Sequence, residues 1–197
     1  MTNKEKYFAF CEIEKTIPIF SQAWWLNAVC GDAWDVCLVE KGGEIYATMP
    51  YHIKKRYGFT SLGQPSLTQN LGPWLIPSTA KYSKMLGQSK DLMEDLISQL
   101  PKHHYFSQNW HYSLTNWLPF YWAGFEQTTY YTYVFDDLSN KELIWKKMQE
   151  NIRTDIRKAQ KLNLTVCKDL SIGTLIALNK MTFDRQNIVA SYSEYFL

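Results

Sequence analysis

No apolar run in the 197-residue chain approaches the roughly 18 residues that a membrane-crossing helix needs, and the opening stretch Met1 to Lys6 is polar. With neither a secretory leader pattern nor an anchor, the expected location is the cytoplasm. The four cysteines, Cys11, Cys30, Cys37 and Cys167, lack CxxC spacing and sit among apolar residues, so reduced core thiols are expected rather than disulfides or a metal site. Charge of one sign is also missing. Twenty-one Lys and Arg against nineteen Asp and Glu leave a net +2, which excludes the global cationic field that dominates nucleic-acid binding. Any anion recognition must be local. The GxSxG nucleophile elbow, the P-loop and GxGxxG are all absent. Of the four histidines, His52, His103, His104 and His111, the adjacent pair would point to opposite faces of a strand and could not share a metal.

What is present is core material. Apolar residues make up 46% of the chain and aromatics 16%, including eight tryptophans, enough to bury a sizeable interior in one large or two small domains. Ser21, as N-cap, with apolar positions at helical spacing up to Val29 and Gly31 beyond, predicts a short helix. Two β-rich runs, 34–40 and 44–50, flank Gly42 and Gly43 and read as a hairpin. Residues 57–77 are rich in Gly, Pro, Ser, Thr and Asn, a long loop of the kind that lines a cleft. Leu92, Met93, Leu96, Ile97 and Leu100 then repeat at helical spacing before Pro101, a strand is expected over 105–110, and an aromatic, turn-rich stretch covers 117–125.

The most distinctive feature is the run from Asn151 to Lys161. At about 100° per residue, Arg153, Arg157, Lys158 and Lys161 share one arc, with Ile152, Ile156 and Ala159 opposite, which is the pattern of an anion-facing helix. An aromatic strand, Tyr130 to Phe135, precedes it, followed by an acidic turn in which Asp136 and Asp137 read as a helix cap and by a further helix starting at Lys141. Downstream, a strand over 164–168, a helix over 172–183 and the start of another helix after Arg185 are expected. Alternating strands and helices predict a mixed α/β class.

Several segments together resemble the FemAB-like branch of the GNAT superfamily, the peptidoglycan-bridge aminoacyltransferases and their Bacteroidetes-type N-acetyltransferase relatives. They are Phe20 to Leu26, Ile45 to Pro50, Gln64 to Thr68 with Leu71 to Trp74, Asn116 to Tyr121, and Tyr131 to Val134 with Asn151 to Ala159. The resemblance implies an α/β (α+β) fold, a mixed, mainly antiparallel GNAT-like sheet flanked by helices, with a first half over 1–137 and an incomplete second half over 138–197. It implies transfer of an acyl or aminoacyl group to an amine acceptor such as a cell-wall precursor, with acetyl-CoA or aminoacyl-tRNA as donor and no metal. Arg153, Arg157 and Lys158 are then the positions that face an anionic part of the substrate, with Gln64 and Trp74 as further substrate-binding positions. The GNAT coenzyme A loop, Q/R-x-x-G-x-G/A, is not found. In its nearest counterpart, Gln69 to Trp74, Trp74 replaces a small residue and Pro73 removes a donor. The donor site is accordingly absent, further along a longer chain, or of another kind. The alternative is a truncated or non-catalytic GNAT-like module that pairs with another chain, including a second copy, through the surface of the open second half.

Overall fold

The computed structural model describes residues 1–135 and 137–189. The chain is a mixed α+β protein whose described residues form seven helices and a five-stranded, mostly antiparallel open sheet, and it divides into two compact units, Met1–Gln127 and Thr128–Leu197. That division falls ten residues before the expected boundary.

In the first unit α1 (Asn3–Ile13) starts from a capping box, Thr2 and Glu5 each satisfying the other's backbone N–H. Next comes α2 (Ala23–Cys30), and its cap is Gln22 rather than Ser21. Ser21 instead closes a short 3-10 turn, Ile19–Ser21, and is buried, its carbonyl accepting a 2.6 Å bond from the Tyr7 hydroxyl. Gly31 ends the helix with φ +56°, as a stop glycine does.

The hairpin forms as expected from β1 (Trp34–Lys41) and β2 (Glu44–Arg56), joined through Gly42 and Gly43, both at positive φ. Strand β2 runs six residues past Pro50, where a central strand was expected to stop. The reason is a gap in its partners. One edge of β2 pairs with β4 (Trp74–Leu75) at Ala47 and Thr48, and with β3 (Phe59–Gly63) only from His52 onward. Pro50 lies between them, its carbonyl accepting 2.8 Å from Gln108 Nε2, so the missing N–H faces no ladder partner. Helix α3 (Tyr82–Ser98) then crosses over to β5 (Tyr105–Ser107), which lies parallel to β3, and α4 (Leu118–Trp122) follows.

Pairing partners share a face of a sheet, so the register sorts the side chains. Trp34, Val36, Leu38, Thr48 and Trp74 lie on the face covered by α1 and α2, with Tyr7, Cys11 and Leu26 packed on them. Cys37, Val39, Ala47, Met49, Tyr51 and Leu62 lie on the other, under Leu92, Met93 and Leu96 of α3 and Phe120 of α4. Trp34 anchors the first cluster at 2% exposure, donating from Nε1 to Asn27 Oδ1 at 2.9 Å with Tyr7 edge-on at 6.2 Å. Trp34→Ala is expected to cost about 3–5 kcal/mol, read as a lower urea midpoint with an unchanged m-value.

The second unit holds α5 (Lys141–Lys147), α6 (Glu150–Lys161) and α7 (Ile172–Arg185), none of which contains a buried residue. The strands expected at 130–135 and 164–168 do not form among the described residues: both stretches are unpaired, with Tyr131, Tyr133 and Val166 almost fully exposed. A strand needs a neighbour for its backbone groups, and propensity alone does not supply one. The cap of α5 is Asn140, which accepts from Leu143 N at 3.0 Å, whereas Asp137 accepts from Ser139 N at 2.8 Å in a local turn. Asp136 and most of the helix expected after Arg185 lie outside the described residues.

Candidate functional site

Helices α1 and α2 cover only part of their face of the sheet. The same register places two rows of side chains beyond them: Lys54, Ser61 and Tyr105 in one, His52, Gly63 and Ser107 in the next. These rows line a cleft of about 270 Å³, closed at one end by Gln64 and Asn109. It opens beside the carboxyl ends of β3 and β5, the sheet's only parallel strand pair among the described residues, the position where α/β sheets commonly bind ligands.

Glycine is needed at the floor. A Cβ on Gly63 would stand 3.0 Å from the Ser107 carbonyl oxygen, so any side chain there would both fill the space between His52 and Ser107 and press β5 outward. Gln64 fixes the rim. Its Nε2 donates to the Thr68 carbonyl at 2.7 Å while its Oε1 accepts from Asn109 N at 2.7 Å, and Thr68, itself buried, accepts from Trp25 Nε1 at 3.0 Å. The loop after β3 is therefore tied to α2 on one side and to the segment after β5 on the other.

His52 is the half-buried titratable group of the cleft. Burial lowers its pKa below the ordinary histidine value and the nearby Lys54 ammonium lowers it further, with a backbone interaction at Gln64 acting in the opposite sense. At neutral pH the imidazole is uncharged and can accept a proton. Histidines 103 and 104 are engaged elsewhere: His103 Nδ1 lies 2.8 Å from the Pro101 carbonyl, and His104 Nδ1 accepts from Thr60 N at 3.0 Å.

Against protein-family models, curated proteins and solved structures, the chain has no match.

The sequence-derived site residues fall into both units. Gln64 lies at the cleft. Trp74 is a core residue, 7% exposed, its Nε1 donating to Thr16 Oγ1 at 2.9 Å and its ring edge-on to Phe10 at 5.1 Å. The string considered for a coenzyme A loop, Gln69 to Trp74, is buried from Leu71 to Trp74, and Leu71 N donates to the Asn109 carbonyl at 2.7 Å. Arg153, Arg157 and Lys158 all lie on α6. The Arg157 guanidinium sits over the Trp145 ring of α5 at 5.5 Å, Lys158 pairs with Asp155 at 3.3 Å, and the Nε of Arg153 is buried without a hydrogen-bond partner among the described residues. Ile156 and Ala159 are half-buried, while Ile152 on the same arc remains 45% exposed.

Sequence reasoning passed over His52, Lys54, Ser61, Tyr105 and Ser107. The usable signal was alternation: past Pro50, apolar Tyr51 and Ile53 interleave with His52 and Lys54, a half-buried strand with a polar face. Cys37 and Cys30 offer no nucleophile, since burial pushes their thiols up to about 12 and about 11 respectively. Cys167 is exposed, against the expectation of a core thiol. Among the described residues no group of three or more His, Cys, Asp and Glu could hold a metal ion, and no helix is long and apolar enough to cross a membrane.

Proposed function

We propose that the chain belongs to an N-acyltransferase or aminoacyltransferase whose amine acceptor enters the cleft at His52. The observation that carries this reading is a half-buried, uncharged imidazole in an open polar cleft beside the ends of a parallel strand pair. Acyl transfer to an amine needs a proton acceptor: the amine nitrogen bonds to the carbonyl carbon of a thioester or ester, the C–S or C–O bond breaks with the thiolate or alkoxide leaving on the donor, and the proton on nitrogen passes to the imidazole. The mixed sheet flanked by helices is consistent with the FemAB-like resemblance, as is the cationic arc of α6, where Arg153 and Arg157 can meet an anionic part of a substrate. The donor in this reading is acetyl-CoA or an aminoacyl-tRNA, and the acceptor an amine of the cell-wall precursor type.

The test is direct. Incubation with acetyl-CoA or aminoacyl-tRNA and a panel of amines, with N-acylated product followed by mass spectrometry, is expected to reveal transfer. Titration calorimetry with a nucleotide-linked cell-wall precursor is expected to give heat that weakens about tenfold or more in Arg153→Ala/Arg157→Ala. Absence of product with every donor, together with heat indifferent to the arginines, would sink the reading.

A second reading, a non-catalytic module that pairs with a second copy of the chain, is favoured by one observation: α5, α6 and α7 bury no residue, while Leu162, Leu164, Leu175 and Met181 are each more than half exposed. Light scattering of the full chain separates the two. A concentration-dependent dimer supports the module, and a strict monomer removes it.

A further inference from the structure

We propose that the acceptor held in the cleft carries a carboxylate as well as an amine, Lys54 pairing with the carboxylate while His52 faces the amine. The inference rests on the transferase reading for the role of the amine, but the geometry that selects the ligand is independent of catalysis. His52 and Lys54 are two residues apart on β2 and share the open face, so their Cα atoms are separated by about 6.6–6.8 Å along the strand. A ligand bearing two polar groups can meet both without leaving the cleft.

Charge decides which second group it carries. Among the described residues Lys54 is the sole cation lining the cleft, since His52 is uncharged at neutral pH and no arginine belongs to the lining. One ammonium balances one carboxylate. A phosphate dianion would be left with uncompensated charge, and the planar fork that grips two phosphate oxygens is missing. The remaining lining groups, the Ser61 and Ser107 hydroxyls, the Tyr105 phenol and the Asn109 amide, can donate to and accept from peptide or hydroxyl groups between the two ends. Lys54 is exposed and belongs to neither core cluster, so its replacement leaves both intact.

Glycylglycine, glycinamide and inorganic phosphate are the probes, added separately to the full chain while the His52 ring signals are followed by NMR. Glycylglycine is expected to shift the His52 resonances saturably and glycinamide, which keeps the amine and lacks the carboxylate, to bind about tenfold more weakly or worse. Lys54→Gln is expected to bring glycylglycine down to the glycinamide level. Equal binding of glycylglycine and glycinamide, indifference to Lys54→Gln, no saturable shift with glycylglycine, or phosphate binding as tightly as glycylglycine overturns the proposal. The free amino acid glycine, run alongside, tells a single α-carbon ligand from a peptide end. Lys54-dependent binding without acyl transfer to any amine retains this inference and removes the transferase reading. Transfer with no preference for carboxylate-bearing amines does the reverse.

Discussion

Replacing Gly72 by alanine is expected to destabilise the chain by about 2–5 kcal/mol, from a left-handed backbone penalty of about 1–2 and an overpacking cost of about 1–3. Gly72 has φ +98°, and a Cβ built there would stand 2.7 Å from Trp110 Cδ1 and 2.8 Å from Cγ. The indole cannot easily move away. Trp110 lies edge-on to Phe120 at 4.7 Å, and the backbone on either side is held by Leu71 N donating to the Asn109 carbonyl at 2.7 Å and His111 N donating to the Leu71 carbonyl at 3.3 Å. Gly124 is the control, since at φ +88° it has the backbone strain but nothing within 4 Å of its added Cβ. Urea denaturation of both variants isolates the packing contribution. A loss at Gly72 no larger than at Gly124 would show that the Trp110 contact gives way freely. Because Asn109 and Gln64 lie on the same bonded path, Gly72→Ala is also expected to loosen the cleft rim.

The framework of the first unit was readable where local chemistry and tertiary demand agree. Gly31, Gly42 and Gly43 punctuate where only glycine is comfortable, and the 92/93/96 repeat faces the core as its spacing requires. It became unreadable where long-range partners decide. Pro50 implies a strand end by local rule, and only the gap between β4 and β3 makes it harmless. The stretch over 130–135 has every local mark of a strand and lacks a neighbour among the described residues. The site divides the same way. The cation arc of α6 was visible because a helix face is a local property, whereas the cleft joins His52 to Ser107 across two strand pairings and a helical crossover. No spacing within the sequence encodes that juxtaposition.

In the transferase reading proposed above, removing the imidazole is expected to give the largest functional effect. If the acceptor amine loses its proton to His52, His52→Gln is expected to lower kcat by about 10²–10⁴-fold, the range for a positioned general base, while glutamine's size keeps the cleft from collapsing. The pH profile supplies a signature that a structural role would not. Burial first, and the Lys54 charge second, depress the His52 pKa, so the acid limb of the rate should fall below the ordinary histidine value of about 6.5. The titratable groups that line the cleft with it are Lys54 on its own strand and Tyr105 from β5. The Lys54 ammonium opposes protonation of the ring, so Lys54→Gln should move the limb partly back toward 6.5. Stability follows the same linkage. A folded-state pKa below the unfolded one means that the unfolded chain takes up the proton first. The contribution of a neutral His52 is then fully present above about 6.5 and is lost as pH falls through the folded value. The kcat/KM profile and the NMR titration of the His52 ring in the free protein should therefore share one midpoint on the acid side of 6.5, and a rate limb that ignores that midpoint would assign the proton transfer to another group.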